Sequence, residues 1–177
     1  TFCRPTLLMV TAGGFFAWCP DVPAKDKKAE ETPVPIKALL VTGGCSHDYT
    51  TRKGIIVQGI RERIKRPIEW MVKHQGDGES DVRISLFEES GWATGYDIVV
   101  HDYCFPRVRE GEYIERILAP HRAGLPAVLI HGTMMSFQTP DDRWSSFTGA
   151  TIRGHDRQGP VGVEPLALSD PILKGFQ

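Results

Sequence analysis

The clearest structural signal in the sequence is Ala38-Leu39-Leu40-Val41-Thr42-Gly43-Gly44, in which four apolar residues and a threonine end in a pair of glycines. Short apolar runs of this kind are typical of parallel strands buried on both faces of a sheet. After the glycines, Ile56, Val57, Ile60 and Ile64 recur at helical spacing between polar residues. A strand followed by a helix is the repeating unit of an α/β sheet, so this segment predicts that fold class.

The alternation of strands and helices continues along the chain. Pro67 ends the first helix because proline cannot continue the helical hydrogen bonds, and a Gly76–Gly78 turn closes the strand that follows. The later predicted elements are a strand at 68–73, a strand at 96–102, a helix between 109 and 122 and a strand at 127–132. We therefore predict a doubly wound, mainly parallel sheet with helices on both faces.

The composition is that of one globular domain. The chain has 177 residues, of which 41% are hydrophobic and 24% are charged, which is enough apolar material for a sizeable core. The formal net charge is -1 and the basic residues are scattered along the chain. This charge pattern argues against a nucleic-acid partner, which would require a basic surface.

The two ends differ from the middle of the chain. Residues 7–18 are largely apolar and a small-residue site precedes a charged stretch, which predicts a signal peptide at 1–24 and an exported protein. The alternative interpretation of this apolar run is a buried core helix. The run is too short to span a membrane, so we expect no membrane span after signal removal. Residues 25–35 predict a solvated linker, and the domain at 36–177 lacks a closing element, so we expect it to be C-terminally incomplete.

Polar residues follow three of the predicted strands. In an open α/β sheet the carboxyl ends of the strands meet at one edge, which is the usual ligand crevice. As catalytic residues we predict His47, Asp102, His131 and His155. As substrate-binding residues we predict Gly43, Gly44, Asp48, Tyr103, Gly132, Thr133 and Trp144. For Trp144 two interpretations stay open, a stacking platform for a sugar ring and a core residue under a loop.

Three histidines could share a divalent metal. His47, His131 and His155, with a nearby carboxylate, are suitable ligands for zinc or suitable groups for acid–base chemistry. Hydrogen-bonded structural histidines are the alternative, because no short ligand spacing is present. Cys45 and Cys104 both follow predicted strands, so a single disulfide is open, although we favour two unpaired thiols.

Several motifs together resemble the ThuA-like (trehalose utilisation) family. The resemblance covers roughly residues 36–177. The motifs that match the family are Leu40–Gly44 with His47-Asp48, Tyr96–Val100, Gly124–Gly132, Trp144 with Gly149-Ala150, His155, and Asp170-Pro171-Ile172 with Gly175. Asp170 departs from the pattern, since the family has a histidine there. The resemblance implies a flavodoxin-like three-layer sandwich, similar in fold to class I glutamine amidotransferases.

The resemblance also implies a function. It predicts a role in bacterial utilisation of trehalose or a related disaccharide, including 3-keto sugars made by a partner sugar dehydrogenase. His131 occupies the station of the amidotransferase nucleophile, which argues against a cysteine-dependent amidotransferase mechanism. The alternatives to a carbohydrate-active hydrolase or isomerase are a non-catalytic sugar-binding or interaction module and a scaffold fused to a further C-terminal domain.

Overall fold

The computed structural model describes residues 33–152, 154, 157 and 159–175. The predicted signal peptide at 1–24 and most of the predicted linker lie outside the described residues. The helices and strands are β1 (Ile36–Gly44), α1 (Tyr49–Arg61), β2 (Ile68–Asp77), β3 (Ile98–Cys104), α2 (Gly111–Arg122), β4 (Ala127–Leu129) and α3 (Arg143–Thr148). Short 3-10 helices occupy Ser85–Glu88, His131–Met135 and Pro171–Leu173. Within the described ranges, no helix is long and apolar enough to cross a membrane.

All four strands lie in one parallel sheet with the order β2-β1-β3-β4. In the inner strand β1, Leu40 lies opposite Val72 of β2 and Val100 of β3. The side chains from Ala38 to Val41 are fully buried, because neighbouring strands and both sheet faces enclose them. This enclosure explains why the run contains no charged residue. The prediction of a mainly parallel α/β sheet is confirmed.

The two long helices cover opposite faces of this sheet. Successive side chains of a strand point to opposite faces, and in β3 Asp102 contacts Arg52 of α1 whereas His101 contacts His121 of α2. The face under α2 carries the larger aromatic core. Its buried members include Leu39, Val41, Phe87, Trp92, Tyr103, Phe105, Tyr113, Ile117, Phe137 and Trp144.

The fourth strand is shorter than predicted, because the backbone turns before residue 132. The Ile130 N–H still donates to the His101 carbonyl across the sheet, at 2.9 Å. The Thr133 N–H then donates back to the Ile130 carbonyl, at 2.7 Å, which starts the 3-10 helix. The turn ends β4 at Leu129 and leaves His131 at the carboxyl edge of the sheet.

The third strand is displaced toward the C-terminus from the predicted range 96–102. The Asp97 carboxylate accepts the Lys37 N–H at 2.8 Å, so Asp97 caps the ladder and the strand begins at the next residue. The strand then extends to Cys104, which lies opposite Gly44 at the end of β1. As a result, the edge that carries the polar residues is formed by the last residues of β1 and β3.

Candidate functional site

Two of the predicted catalytic histidines meet at the carboxyl edge of the sheet. His47 lies in the loop between β1 and α1, and His131 is the first residue of the 3-10 helix after β4. Their ring centroids are 4.7 Å apart, with an angle of 71° between the ring planes. Both residues are solvent-exposed. The edge therefore presents a pair of accessible imidazoles, one from each side of β3.

The position of this pair follows from the strand order. The chain leaves β1 toward β2 on one side, and it leaves β3 toward β4 on the other. The connections after β1 and β3 therefore diverge, and a crevice forms at such a switch point in open α/β sheets. The β1–α1 loop is shaped by Asp48, which caps α1 by accepting the Thr51 N–H at 3.0 Å. Asp48 thus positions the helix that follows His47.

Tyr49, the first residue of α1, lies beneath the histidine pair. Its side chain is only 1% exposed, and its ring is 5.8 Å from the ring of His47. Among the described residues, no group makes a hydrogen bond to its buried hydroxyl. Burial raises the pKa of Tyr49 above its usual range, so the hydroxyl stays protonated and can donate. Tyr49 is absent from the site predicted from the sequence, although its place directly after the His47-Asp48 motif is a usable signal.

Gly132 lets this hydroxyl approach the histidine pair. A β-carbon at position 132 would lie 3.2 Å from the Tyr49 hydroxyl and 3.5 Å from the Cδ2 atom of His47. A larger side chain would therefore push apart the loop after β4 and the first turn of α1. The predicted role of Gly132 in binding a substrate stays a prediction, whereas its role in packing is visible.

Asp102 does not open onto the crevice. Its carboxylate is fully buried and accepts hydrogen bonds from Nε of Arg52 at 3.1 Å, from a second guanidinium nitrogen of Arg52, and from the Thr42 hydroxyl at 3.3 Å. Although burial opposes the charge of Arg52, the bond to Asp102 raises its pKa above the ordinary value. The guanidinium in turn lies over the Tyr49 ring, at 4.8 Å from the centroid. Asp102 therefore positions Arg52 and Tyr49 rather than meeting a ligand.

The glycine pair at the end of β1 is required by neighbouring backbone. A β-carbon at Gly43 would lie 2.0 Å from the Gln75 carbonyl oxygen, and one at Gly44 would lie 2.2 Å from the Cys104 carbonyl oxygen. Both residues also have positive φ angles, 142° and 96°. Close packing of β2 and β3 against β1 thus accounts for both glycines without a ligand.

Three further predicted binding residues point away from the crevice. Tyr103 and Trp144 lie in the aromatic core under α2, and the Trp144 indole N–H donates to the Thr133 carbonyl at 3.1 Å. Trp144 is 3% exposed, so core packing accounts for it and no face is open to a sugar ring. The buried Thr133 hydroxyl accepts the Tyr103 N–H at 3.1 Å and donates to the His101 carbonyl at 2.7 Å. These bonds hold the turn that carries His131.

The predicted zinc site is only partly visible. His47 and His131 supply two imidazoles, while His155 lies outside the described residues. No group of three potential ligands is found where the chain is described. Zinc binding by the three histidines therefore stays a prediction.

Two cysteines also converge on this edge. The Sγ atoms of Cys45, which follows β1, and Cys104, which ends β3, are 3.6 Å apart, and both thiols are free.

Comparison of the chain with protein-family models, with curated proteins and with solved structures finds no match. The edge itself presents two exposed imidazoles, a buried phenol next to His47 and a pair of adjacent thiols.

Proposed function

We propose that this chain is a ThuA-like protein of bacterial carbohydrate utilisation, acting on trehalose, a related disaccharide or a 3-keto sugar. In this proposal His47 and His131 form the acid–base pair. The observation that carries it is the distance of 4.7 Å between their rings at the switch point of the sheet. The order β2-β1-β3-β4 supports the finer part of the proposal, a flavodoxin-like sandwich related to the glutamine amidotransferase fold.

A pair of imidazoles suits a sugar substrate, because reactions of sugars move protons between neighbouring oxygen and carbon atoms. Imidazole is the side chain that ordinarily exchanges protons near neutral pH. Of two adjacent rings, a neutral one can remove a proton while a protonated one donates a proton to an oxygen. Burial raises the pKa of Tyr49, so its hydroxyl stays a hydrogen-bond donor next to His47.

A nucleophilic mechanism at His131 has less support. A nucleophile elbow places its residue on a strained turn between a strand and a helix. Ser46, in the turn from β1 to α1, has a positive φ angle of 78°, whereas His131 does not have a positive φ angle. The hydrolase or isomerase that we propose would use acid–base catalysis by His47 and His131, with zinc held by His47, His131 and His155 as the metal-dependent variant.

Turnover measurements test the proposal directly. The full-length protein would be incubated with disaccharides and with their 3-keto forms, and product would be followed by chromatography, with elemental analysis of the same sample for zinc. We expect His47→Ala and His131→Ala each to lower turnover by about 100-fold or more, the usual scale for loss of an acid or base. His74→Gln is the matched control, because His74 lies on edge strand β2, where it bonds Asp77 at 2.7 Å. Full turnover in both histidine variants would remove the pair from the mechanism.

A non-catalytic sugar-binding module is the second candidate. It is favoured by the commitment of Asp102, Arg52 and Thr133 to internal contacts, which leaves few described polar side chains available for chemistry. This candidate predicts saturable binding of a disaccharide by calorimetry with no product after prolonged incubation. Product release that depends on His131 would exclude it.

Export of the protein, predicted from residues 1–24, is part of either proposal and would place the protein with extracytoplasmic sugar processing.

A further inference from the structure

We propose that Cys45 and Cys104 are a site of reversible oxidation, at which exchange with a small-molecule disulfide joins the two thiols in an intramolecular bond. The proposal concerns the two cysteines only and does not depend on the chemistry proposed for the histidines. It arises from the adjacency of two free thiols that differ in their access to solvent.

The backbone already holds the two cysteines in bonding range. The Cys45 N–H donates to the Cys104 carbonyl at 3.0 Å, and Gly44 lies opposite Cys104 in the parallel ladder. Their Sγ atoms are 3.6 Å apart, whereas a disulfide requires about 2.05 Å. The paired backbone of β1 and β3 therefore already brings the two sulfurs close to bonding distance.

The two thiols have different roles because their exposure differs. Cys45 is partly exposed in the β1–α1 loop, and its sulfur accepts a hydrogen bond from the Ser46 hydroxyl at 3.4 Å. Cys104 is 3% exposed, and its burial, together with its contact with Cys45, raises the pKa of Cys104 to about 12. An external disulfide can therefore reach Cys45 first, while Cys104 is accessible only to Cys45.

The reaction balances as a two-electron exchange. The Cys45 thiolate attacks a sulfur of the external disulfide, one external thiolate leaves, and a mixed disulfide forms at Cys45. The Cys104 thiol then loses its proton and attacks the Cys45 sulfur, and the second external thiolate leaves. In total, two protein thiols are oxidised to one disulfide, one external disulfide is reduced to two thiols, and the two protein protons pass to those thiols.

The bond would restrain the loop that carries His47. The loop between β1 and α1 is only four residues long, from Cys45 to Asp48, and Ser46 within it has a φ angle of 78°. Tying Cys45 to β3 would therefore restrict a segment that already has few conformations. Since the bond joins residues 59 positions apart, it would also restrict the unfolded chain. We expect a higher thermal midpoint for the oxidised form than for the reduced form.

The test uses the full-length chain in buffers of graded reduced and oxidised glutathione. The parent protein carries Cys3→Ser and Cys19→Ser, so that only the two cysteines at the edge of the sheet remain. After trapping with an alkylating reagent, intact mass spectrometry reports free thiols and peptide mapping reports the Cys45–Cys104 link. We expect the parent to pass to the linked form without accumulating a glutathione adduct, and reduction to reverse the change.

Two single variants separate the roles of the thiols. Cys104→Ser should accumulate glutathione at Cys45, because no second thiol is there to displace it. Cys45→Ser should gain neither a link nor an adduct, because Cys104 is buried. If Cys104→Ser fails to fold, the parent and Cys45→Ser still decide the matter. The proposal is overturned if the oxidised parent keeps two alkylatable thiols, or if it holds glutathione at Cys45 without forming the link.

Discussion

Asp102 is a buried carboxylate whose charge depends on Arg52. Its side chain has no solvent exposure, whereas Arg52 is 22% exposed. Replacing Arg52 with methionine keeps most of the packing but leaves the negative charge in the core with only the Thr42 hydroxyl as a described partner. We expect Arg52→Met to lower the free energy of unfolding by about 3 kcal/mol, the usual cost of breaking a buried pair from one side. Urea denaturation near neutral pH measures this cost.

The double variant Arg52→Met with Asp102→Asn is the matched control for that prediction. It removes both charges, so the unpaired buried carboxylate that destabilises Arg52→Met is absent. We expect the double variant to recover about 1 kcal/mol or more relative to Arg52→Met alone. An additive double variant would mean that the lost packing of Arg52 against Tyr49, and not the charge of Asp102, causes the destabilisation.

The turn from β1 to α1 is the element on which both proposals depend, and its glycines can be tested by substitution. Gly44 has a φ angle of 96°, and a β-carbon there would overlap the Cys104 carbonyl. Gly78 has a similar φ angle of 93°, but a β-carbon there would meet nothing within 4 Å. Gly44→Ala therefore adds steric overlap to the cost of the left-handed backbone, while Gly78→Ala carries the backbone cost alone, about 1–2 kcal/mol.

We expect Gly44→Ala to lower the free energy of unfolding by at least about 2 kcal/mol more than Gly78→Ala, since the overlap is with backbone that cannot rotate away. Thermal or urea denaturation of the two variants side by side gives the difference. Equal losses would show that β1 and β3 can separate at Cys104 without cost, which would also weaken the case for a preformed thiol pair.

The elements of the sheet could be predicted because their signals are local. Apolar runs located β1, β3 and β4, the alternation of Ile68, Trp70 and Val72 with polar and exposed residues located β2, and helical spacing located α1 and α2. The end of β4 could not be predicted, because a bond between the Thr133 hydroxyl and the His101 carbonyl stabilises the turn there, and these residues are far apart in sequence. The same limit applies to Asp102, whose partner Arg52 lies 50 positions away.

At the scale of the whole molecule, the pleat of β3 places the side chains of adjacent polar residues on opposite faces of the sheet. Asp102 points to the α1 face and takes part in the network with Arg52 and Tyr49. His101 and Tyr103, its immediate neighbours, point to the α2 face and lie in the aromatic core. Of several adjacent residues at the end of a strand, only every second side chain can therefore contribute to the same site.

Buried His101 and half-buried His121, which meet on the α2 face, have a defined arrangement of protons. Nδ1 of His121 donates to the Leu125 carbonyl at 2.8 Å, because a carbonyl can only accept. In the neutral ring Nε2 of His121 is then an acceptor, so Nε2 of His101 donates to it across 3.0 Å. Nδ1 of His101 must in turn accept, so the Tyr103 hydroxyl donates to it at 3.0 Å. This chain of donors holds only while both imidazoles are neutral.

Protonation of His101 and His121 at low pH should therefore lower the free energy of unfolding. Burial lowers the pKa of His101 to about 3 and also lowers the pKa of His121, whereas histidine in an unfolded chain has a pKa of about 6.5. The stabilisation is thus complete above about pH 6.5 and is lost as the pH falls toward the folded values, by up to about 1.4 kcal/mol per pH unit for His101. Urea denaturation between about pH 7 and pH 5, above the main carboxylate range, measures the slope. His101→Phe should flatten the slope of stability against pH, whereas an unchanged slope in His101→Phe would place the proton uptake elsewhere.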